Sequence, residues 1–420
     1  MVILASFVFI IGYVLIAFEH KLQISKSAIA ILFAGILWLI IAITDKANLP
    51  VHLSEADASI FEIIVFLLSA MALVEILVHY RFFDTVRSWL ITKKLDNVQM
   101  LWIMSTLSFL ISAVINNMTT AIIFTQLARL FFRGRDLLIA AALMVIAANA
   151  GGAFSPIGDV TTTMLWLNGK FSSSDVMLYG FIPALVIYLV AAFLMIRKIS
   201  QGKRFDPEVI DTNLSKSEKL VIASVFGSFV LPFAFNAFGL RPYMGLLVGL
   251  GFTWILIDLL KKQLPDHKTH FNASIEKLLQ KTDISSLKFF VGILLAVAAL
   301  EHMGILNTVS NSLFGHSPVL SRYITGSSVM GALSALVDNV PLTAASMNIL
   351  KTSDPSIWVL VALTVGTGGS ILVIGSTAGV VTMGVVKELS FYKYLKIAAL
   401  PAALGYVCGI FVWYIERLIF

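Results

Sequence analysis

A single cysteine, Cys408, stands in 420 residues. It excludes an intramolecular disulfide and any cysteine-based metal cluster. Charge is scarce too: 13% of residues are Asp, Glu, Lys or Arg, against 58% hydrophobic, and mean hydropathy is +0.92. A soluble chain of this size cannot hide so much apolar surface, so the chain reads as a polytopic membrane protein. The net charge of +6 comes from basic residues in short loops between apolar runs, which is a topology signal rather than a nucleic-acid footprint. No Gly-x-x-x-x-Gly-Lys-Ser/Thr phosphate loop is present, so nothing points to ATP as a driving force. His-Glu-x-x-His and Gly-x-Ser-x-Gly are also missing. Gly366-Thr367-Gly368-Gly369 lies in an apolar run with no strand before it and is no dinucleotide fingerprint. The histidines do not cluster: His79 and His302 end apolar runs, and His267 and His270 share a polar loop. An enzyme is disfavoured and no cofactor is expected. Basic residues do not precede the first apolar run, and Glu19-His20-Lys21 follows it in place of a small-residue cleavage site, so it is read as a retained span.

What the chain has is apolar runs. Those at 2–18, 27–43, 59–79, 176–196, 219–236, 242–260, 285–302 and 396–418 read as plain spans. Four longer runs are interrupted. Residues 100–132 are broken by Asn116-Asn117, and 321–352 by Asp338-Asn339-Val340-Pro341. Residues 356–386 are broken by Gly366-Thr367-Gly368-Gly369 and Gly375-Ser376-Thr377. Residues 137–168 contain Asn149-Ala150-Gly151-Gly152-Ala153-Phe154-Ser155-Pro156-Ile157-Gly158-Asp159-Val160-Thr161-Thr162-Thr163. Pro156 lacks an N–H and crowds the carbonyl four residues back, and the glycines let the backbone leave helical geometry. Such backbone is tolerated at membrane depth only against protein or a water-filled cavity. A plain proline kink capped by threonine hydroxyls would leave Asp159 unexplained, because an ionisable group inside a span is costly.

Charge supports the interruptions. With the N-terminus outside and residues 100–132 and 321–352 treated as re-entrant hairpins, 24 of the 30 Lys and Arg fall on the cytoplasmic side. The positive-inside rule asks for such a bias. The halves also match. Gly151 to Gly158 aligns with Gly368 to Gly375 at an offset of 217, and Asn116-Asn117 aligns with Asp338-Asn339 at 222. The expected fold is all-α and polytopic, with inverted structural repeats: about ten full spans plus two re-entrant helical hairpins and two broken helices. Residues 1–26 form an N-terminal span and loop and 27–196 the first repeat. Residues 197–241 form a cytoplasmic linker (its polar core 197–218) and connecting span, and 242–420 the second repeat. A piece from Ser274 to Lys281 is amphipathic and suits the membrane surface. In inverted-repeat transporters the site lies near the midplane, where the hairpin tips meet the helix breaks.

The candidate ligands there are oxygen donors: Asp159, Asp338, Asn116, Asn117, Asn149, Asn339, Ser155, Thr161, Thr162, Thr163, Ser370, Ser376 and Thr377, with Glu62 and Glu75 in an earlier span. Carboxylates, amide carbonyls and hydroxyls suit a small hard cation. Neither a hairpin tip nor a helix break carries Lys or Arg to hold an anion. Glu62 reads equally as an interfacial acid, and Glu75 as the structural partner of His79 one turn on. For the Ser and Thr residues, bonding back to helix carbonyls competes with ligation. A membrane scaffold is the non-transport alternative, and acids at two helix breaks argue against it.

The run from Asn149 to Trp166 resembles the signature of NhaD-type sodium/proton antiporters, in the ion transporter superfamily that also holds arsenite and dicarboxylate carriers. Ile115-Asn116-Asn117-Met118-Thr119-Thr120 and Val337-Asp338-Asn339-Val340-Pro341 fit as well. The resemblance implies exchange of Na⁺ or Li⁺ for H⁺, with ion and proton binding at Asp159, Asp338, Asn116, Asn117, Asn149, Asn339, Thr161 and Thr162. Na⁺ is expected at Asp159, Asp338, Asn117 and Asn339. It further implies a homodimer among membrane lipids, with scaffold and transport parts, in the bacterial inner membrane. Some relatives carry an acid where this chain has Asn116-Asn117. The Ser-Asn-Thr tips of dicarboxylate carriers are absent. An anion or metalloid carrier such as an arsenite permease is the alternative within the superfamily.

Overall fold

The computed structural model describes residues 2–17, 22–45, 49–93, 95–200, 214–263, 280, 282–315, 319–336 and 338–419. Among these residues every regular element is helical. The first are α1 (Val2–Ala17), α2 (Lys26–Thr44), α3 (Leu49–His79), α4 (Phe82–Thr92), α5 (Asn97–Ser112), α6 (Asn117–Phe131), α7 (Gly134–Gly152), α8 (Val160–Leu167) and α9 (Ser173–Ile196). Then come α10 (Lys216–Ser228), α11 (Leu231–Ala237), α12 (Pro242–Gln263), α13 (Ile284–His302), α14 (Ile305–Phe314), α15 (Leu320–Ser334), α16 (Asn339–Ile349) and α17 (Pro355–Gly368). The chain ends with α18 (Thr377–Val385), α19 (Phe391–Tyr394) and α20 (Leu400–Ile419). Among the described residues, eight stretches are long and apolar enough to cross a bilayer, and three more apolar helices, at Ile3–Ile16, Asn97–Ser112 and Pro355–Gly368, are shorter. The protein is an all-helical polytopic membrane protein.

Two spans differ from the sequence reading. α3 begins at Leu49, not near 59. At 31 residues it exceeds the roughly 20 a hydrocarbon core needs, so its polar first turns stand beyond that core. The run 219–236 is two helices, α10 and α11, parted at Phe229-Val230, with Pro232 in the first turn of α11 where a missing N–H costs nothing. Most of the linker 197–218, namely 201–213, lies outside the described residues, as do residues 274–279 of the amphipathic piece, His267 and His270.

The core is organised by close helix crossings. α5 and α15 pack against α7 and α17 respectively, and α9 packs along α20. Glycine makes the first two approaches possible. A Cβ on Gly151 would meet the Phe109 carbonyl oxygen at 2.0 Å, and one on Gly368 would meet the Gly331 carbonyl oxygen at 1.9 Å. Hydroxyls tie the same pairs. Ser112 donates to the Ala148 carbonyl at 2.6 Å, and Ser334 donates to the Val365 carbonyl at 2.8 Å. Outside this core, α2 and α3 pack against α13, and α3 also packs against α12.

Candidate functional site

Four helices end and four begin in one region. α5, α7, α15 and α17 stop at Ser112, Gly152, Ser334 and Gly368, and α6, α8, α16 and α18 start at Asn117, Val160, Asn339 and Thr377. The residues just before these starts are Asn116, Asp159, Asp338 and Ser376, all short polar types that favour the N-cap. Asn116 accepts from the Met118 N–H at 2.9 Å, and Ser376 accepts from the Gly379 N–H at 3.2 Å. Ser155 accepts from the Ile157 N–H at 3.4 Å and braces the turn around Pro156. Thr162 accepts the Asp159 N–H at 3.3 Å and donates to the Asp159 carbonyl at 2.9 Å. The contacts cross between the chain's two halves: α6 packs on α18, and α8 packs on α16.

Two polar clusters result. In one, Asn149, fully buried, receives the Asn117 amide at 3.0 Å and donates to Ser370 at 2.9 Å and Ser376 at 3.0 Å. In the other, the Asn339 amide donates to Asp159 Oδ2 at 3.2 Å. Asp159 is 2% exposed, and the backbone N–H groups of Val160 and Thr161 and the Thr161 hydroxyl are turned towards its carboxylate. A narrow cavity touches both clusters and is lined by Asn116, Asn117, Asp159, Asn339 and Thr377 together with Phe290 of α13.

Asp338 does not itself line the cavity, though its neighbours Asn339 and Thr377 do, and it has a partner that sequence reading missed. Its Oδ2 accepts from Thr377 at 3.3 Å and sits 3.5 Å from Lys26 Nζ, whose ammonium also lies 4.7 Å from the centre of the Phe289 ring. A tip is thus reached by a cation after all, from α2. No local pattern announces a contact across 312 residues. Glu62 is not brought to this cavity: it pairs with Arg241 at 3.4 Å and lines a separate pocket with Trp166 and Asn168. Glu75 is half-buried on α3 and does not line the cavity. Thr163 is buried and lines a neighbouring pocket that Phe229 also lines. Gly366, which sequence reading treated only as a helix breaker, faces Asp159: a Cβ there would lie 3.1 Å from Oδ2.

Buried carboxylate and carboxamide groups at interrupted helices inside an apolar bundle are the marks of a membrane transporter that handles small ions. The family model for the citrate transporter, CitMHS, matches residues 13–379. Sodium/proton antiporter 1 of Arabidopsis thaliana is 37% identical over 96% of this chain and 71% of its own length. The Na(+)/H(+) antiporter NhaD of Alkalimonas amylolytica is 31% identical over 96% of this chain and 88% of its own. The NhaD of Vibrio parahaemolyticus is 31% identical over 91% of this chain and all of its own. The chain belongs to the CitMHS family of membrane transporters, on its NhaD-type sodium/proton antiporter side.

Proposed function

We propose that this protein exchanges Na⁺ or Li⁺ for H⁺ across an energised membrane such as the bacterial inner membrane, with Asp159 and Asp338 as the exchanging acids. The observation that carries the reading is Asp159: a carboxylate buried inside the protein at a helix break, held by an amide from Asn339 and by the Thr161 backbone and hydroxyl. A carboxylate in such a place binds either a proton or a cation. The two compete for the same oxygens, and the competition is the coupling. Four helix C-termini and four N-termini meet in the region, so the helix ends alone favour neither sign of charge and the side chains decide. Asn117, Asn149, Asn339, Thr161 and Thr162 complete the ligands and their supports, Asn116, Ser155 and Ser376 hold the backbone turns that carry them, and Thr377 donates to Asp338. Citrate, named in the family model's description, is not the proposed cargo. Carboxylate, amide and hydroxyl groups line the cavity, and Lys26, the cation beside Asp338, is already engaged by it.

The architecture we propose is a pair of inverted repeats, 27–196 and 242–420, with hairpins 100–132 and 321–352 and broken helices 137–168 and 356–386. Matched contacts support it. Ser112–Ala148 and Ser334–Val365 are related by the same two offsets as the sequence alignment, 222 and 217. Tyr188 meets Thr106 at 2.8 Å, and Tyr406 meets the Ser328 carbonyl at 2.8 Å. α5, α6, α15 and α16 have 16, 15, 15 and 11 residues, short of a full crossing and suited to hairpins. The working unit we propose is a homodimer in which hairpins and broken helices move against the remaining spans. Everted vesicles with a pH-sensitive dye test the function. Na⁺ or Li⁺ is expected to dequench the dye, and Asp159→Asn to abolish the response with the protein still in the membrane. In the native protein, apparent Na⁺ affinity is expected to fall about tenfold per unit drop in pH if one proton is displaced. Exchange at the native rate in Asp159→Asn, or affinity indifferent to pH, refutes the mechanism.

A further inference from the structure

Two cavities lie one beyond the other between the same helices. The narrow one at Asp159, 30 Å³, is walled by Leu67 of α3, Phe290 of α13 and Val340 of α16. A wider one, 610 Å³, lies where α3 begins and α13 ends. At its mouth Ser59, Asn168 and Glu301 are exposed, and at its floor Ile63, Leu294 and Ala344 are buried. Each floor residue stands one helical turn from a wall of the narrow cavity: Ile63 from Leu67, Leu294 from Phe290, and Ala344 from Val340. Residues four apart share a helix face, so one face of each helix lines both cavities. Four residues rise about 6 Å, which is the depth of protein between floor and site. The helices close in a ring around this line: α3 packs on α13, α13 on α16, α16 on α8, and α8 on α3. Among the described residues, α6 and α18, which run from the site away from the wider cavity, pack closely on neither α3 nor α13.

We propose that the wider cavity is the vestibule by which the cation reaches or leaves Asp159, and that the turn of apolar side chains beneath it is the barrier closing this route in the conformation described. The proposal rests on the reading of Asp159 as an exchanging acid and adds the path of its ion. Ile63, Leu67, Phe290, Leu294, Val340 and Ala344 all belong to one buried cluster. None of these side chains offers an oxygen, so an ion entering the layer gives up its water and receives nothing in return. A narrow apolar constriction also sheds water, and a dry layer stops protons as well as alkali ions. An exchanger needs such a seal, since a proton that slips past the bound cation wastes the gradient. Two walls of the barrier, α3 and α13, are unbroken helices. The other two, α8 and α16, start at a helix break and a hairpin tip. α16 carries Asn339, the donor to Asp159, next to Val340 in the barrier. A shift of α8 and α16 against α3 and α13 therefore parts the barrier and moves the groups around Asp159 in one step.

The lone cysteine makes the route open to chemical plugging. In a Cys408→Ser background, single cysteines are placed by Ile63→Cys at the vestibule floor and by Ala58→Cys, which lines the neighbouring Glu62 pocket and not the vestibule. A methanethiosulfonate carrying a quaternary ammonium is supplied on both faces of everted vesicles, labelling is confirmed by mass, and Na⁺-dependent dye dequenching is read before and after. Labelled Ile63→Cys is expected to lose exchange at least tenfold, and labelled Ala58→Cys to keep it. The barrier is tested by thinning it: vesicles with Leu67→Ala and Phe290→Ala combined are expected to leak ²²Na⁺ at least tenfold faster than native ones with no pH gradient imposed. Should the thinned variant fail to reach the membrane, the labelling pair alone decides. Native exchange in labelled Ile63→Cys, equal loss in labelled Ala58→Cys, or a tight thinned variant overturns the proposal. Asp159→Asn, measured alongside, separates the two readings. If it is inactive while labelled Ile63→Cys exchanges freely, Asp159 is the exchanging acid and its ion takes another path. If it still exchanges, the site lies elsewhere and the route to Asp159 falls with it.

Discussion

Lys26 and Asp338 offer a prediction whose size follows from geometry. The ammonium stands 3.5 Å from the carboxylate, with the side chains 21% and 13% exposed. At an effective dielectric of about 20, that separation gives a gross attraction of about 5 kcal/mol. Partial solvent screening and the cost of stripping water from both groups remove most of it, leaving a net coupling of about 1–2 kcal/mol. Lys26→Gln and Asp338→Asn each leave one charge in a site arranged for two, so each single variant is expected to lose thermal stability in detergent. The double variant leaves two neutral groups and is expected to lose less than the sum of the singles, by the coupling above. Transport gives an independent reading. If the ammonium competes with Na⁺ for Asp338, Lys26→Gln raises apparent Na⁺ affinity. Lys26→Arg keeps the competitor and does not. Single effects that add to within about 0.5 kcal/mol, together with unchanged Na⁺ affinity in Lys26→Gln, refute the idea that these two groups answer each other.

Pro156→Ala, in the turn between α7 and α8, is expected to reduce exchange more than membrane yield, because a backbone able to close its own hydrogen bonds withdraws the carbonyls offered to the cavity; unchanged rate in a well-expressed variant counts against this. Gly368→Ala puts a Cβ 1.9 Å from the Gly331 carbonyl oxygen where ordinary contact begins at 3.4 Å, so α15 and α17 must part by about 1.5 Å, costing about 1–3 kcal/mol; Gly384→Ala, with open space around it, is the neutral control in the same melting assay. At the start of α17, burial pushes the Asp354 carboxyl up, but hydrogen bonds from Ser356 and Arg417 and the charge of Arg417 outweigh it and hold the group below the usual carboxylate range. A depressed folded-state value gives stability that is present above the unfolded value and is lost as pH falls through the folded one. Melting followed between about pH 6 and pH 2 is therefore expected to fall with acid, and to fall less steeply in Arg417→Gln.

Much of this was legible from residue types. Asn116-Asn117, Asp338-Asn339 and Gly151-Gly152 stand out in apolar runs because lipid offers their polar or loosened backbone no partner. The same residues stop and start helices in the structure, with Asn116, Asp159, Asp338 and Ser376 at the caps. Hydropathy misplaced what it measures only indirectly. It missed the first ten residues of α3, where Ser54, Glu55 and Asp57 interrupt the apolar pattern without ending the helix. Local reading could name Asn149 and Ser376 separately but not their bond, nor bring Lys26 to Asp338, because those meetings are set by tertiary packing. Glu62 read equally as a ligand and as an interfacial acid, and it pairs with Arg241 at a pocket separate from Asp159. Gly366 carried no chemical signal beyond helix breaking, and only the packing sets it against Asp159.

The crossed packing of α6 on α18 and α8 on α16 has a consequence for the timing of synthesis. Asn149 finds its hydroxyl partners 221 and 227 residues later in the chain, and Asp159 finds the Asn339 amide 180 residues later. At about 5–20 residues per second, the ribosome needs roughly 10–45 s to deliver them. Through that interval the first half holds buried polar groups whose bonds do not yet exist, in surroundings where an unmet carboxamide or carboxylate is costly. The amino-terminal half therefore cannot mature before the carboxy-terminal half emerges. A ribosome that stalls in the linker leaves in the bilayer an unfinished object, one that quality-control proteases can recognise by the very groups that later handle the ion.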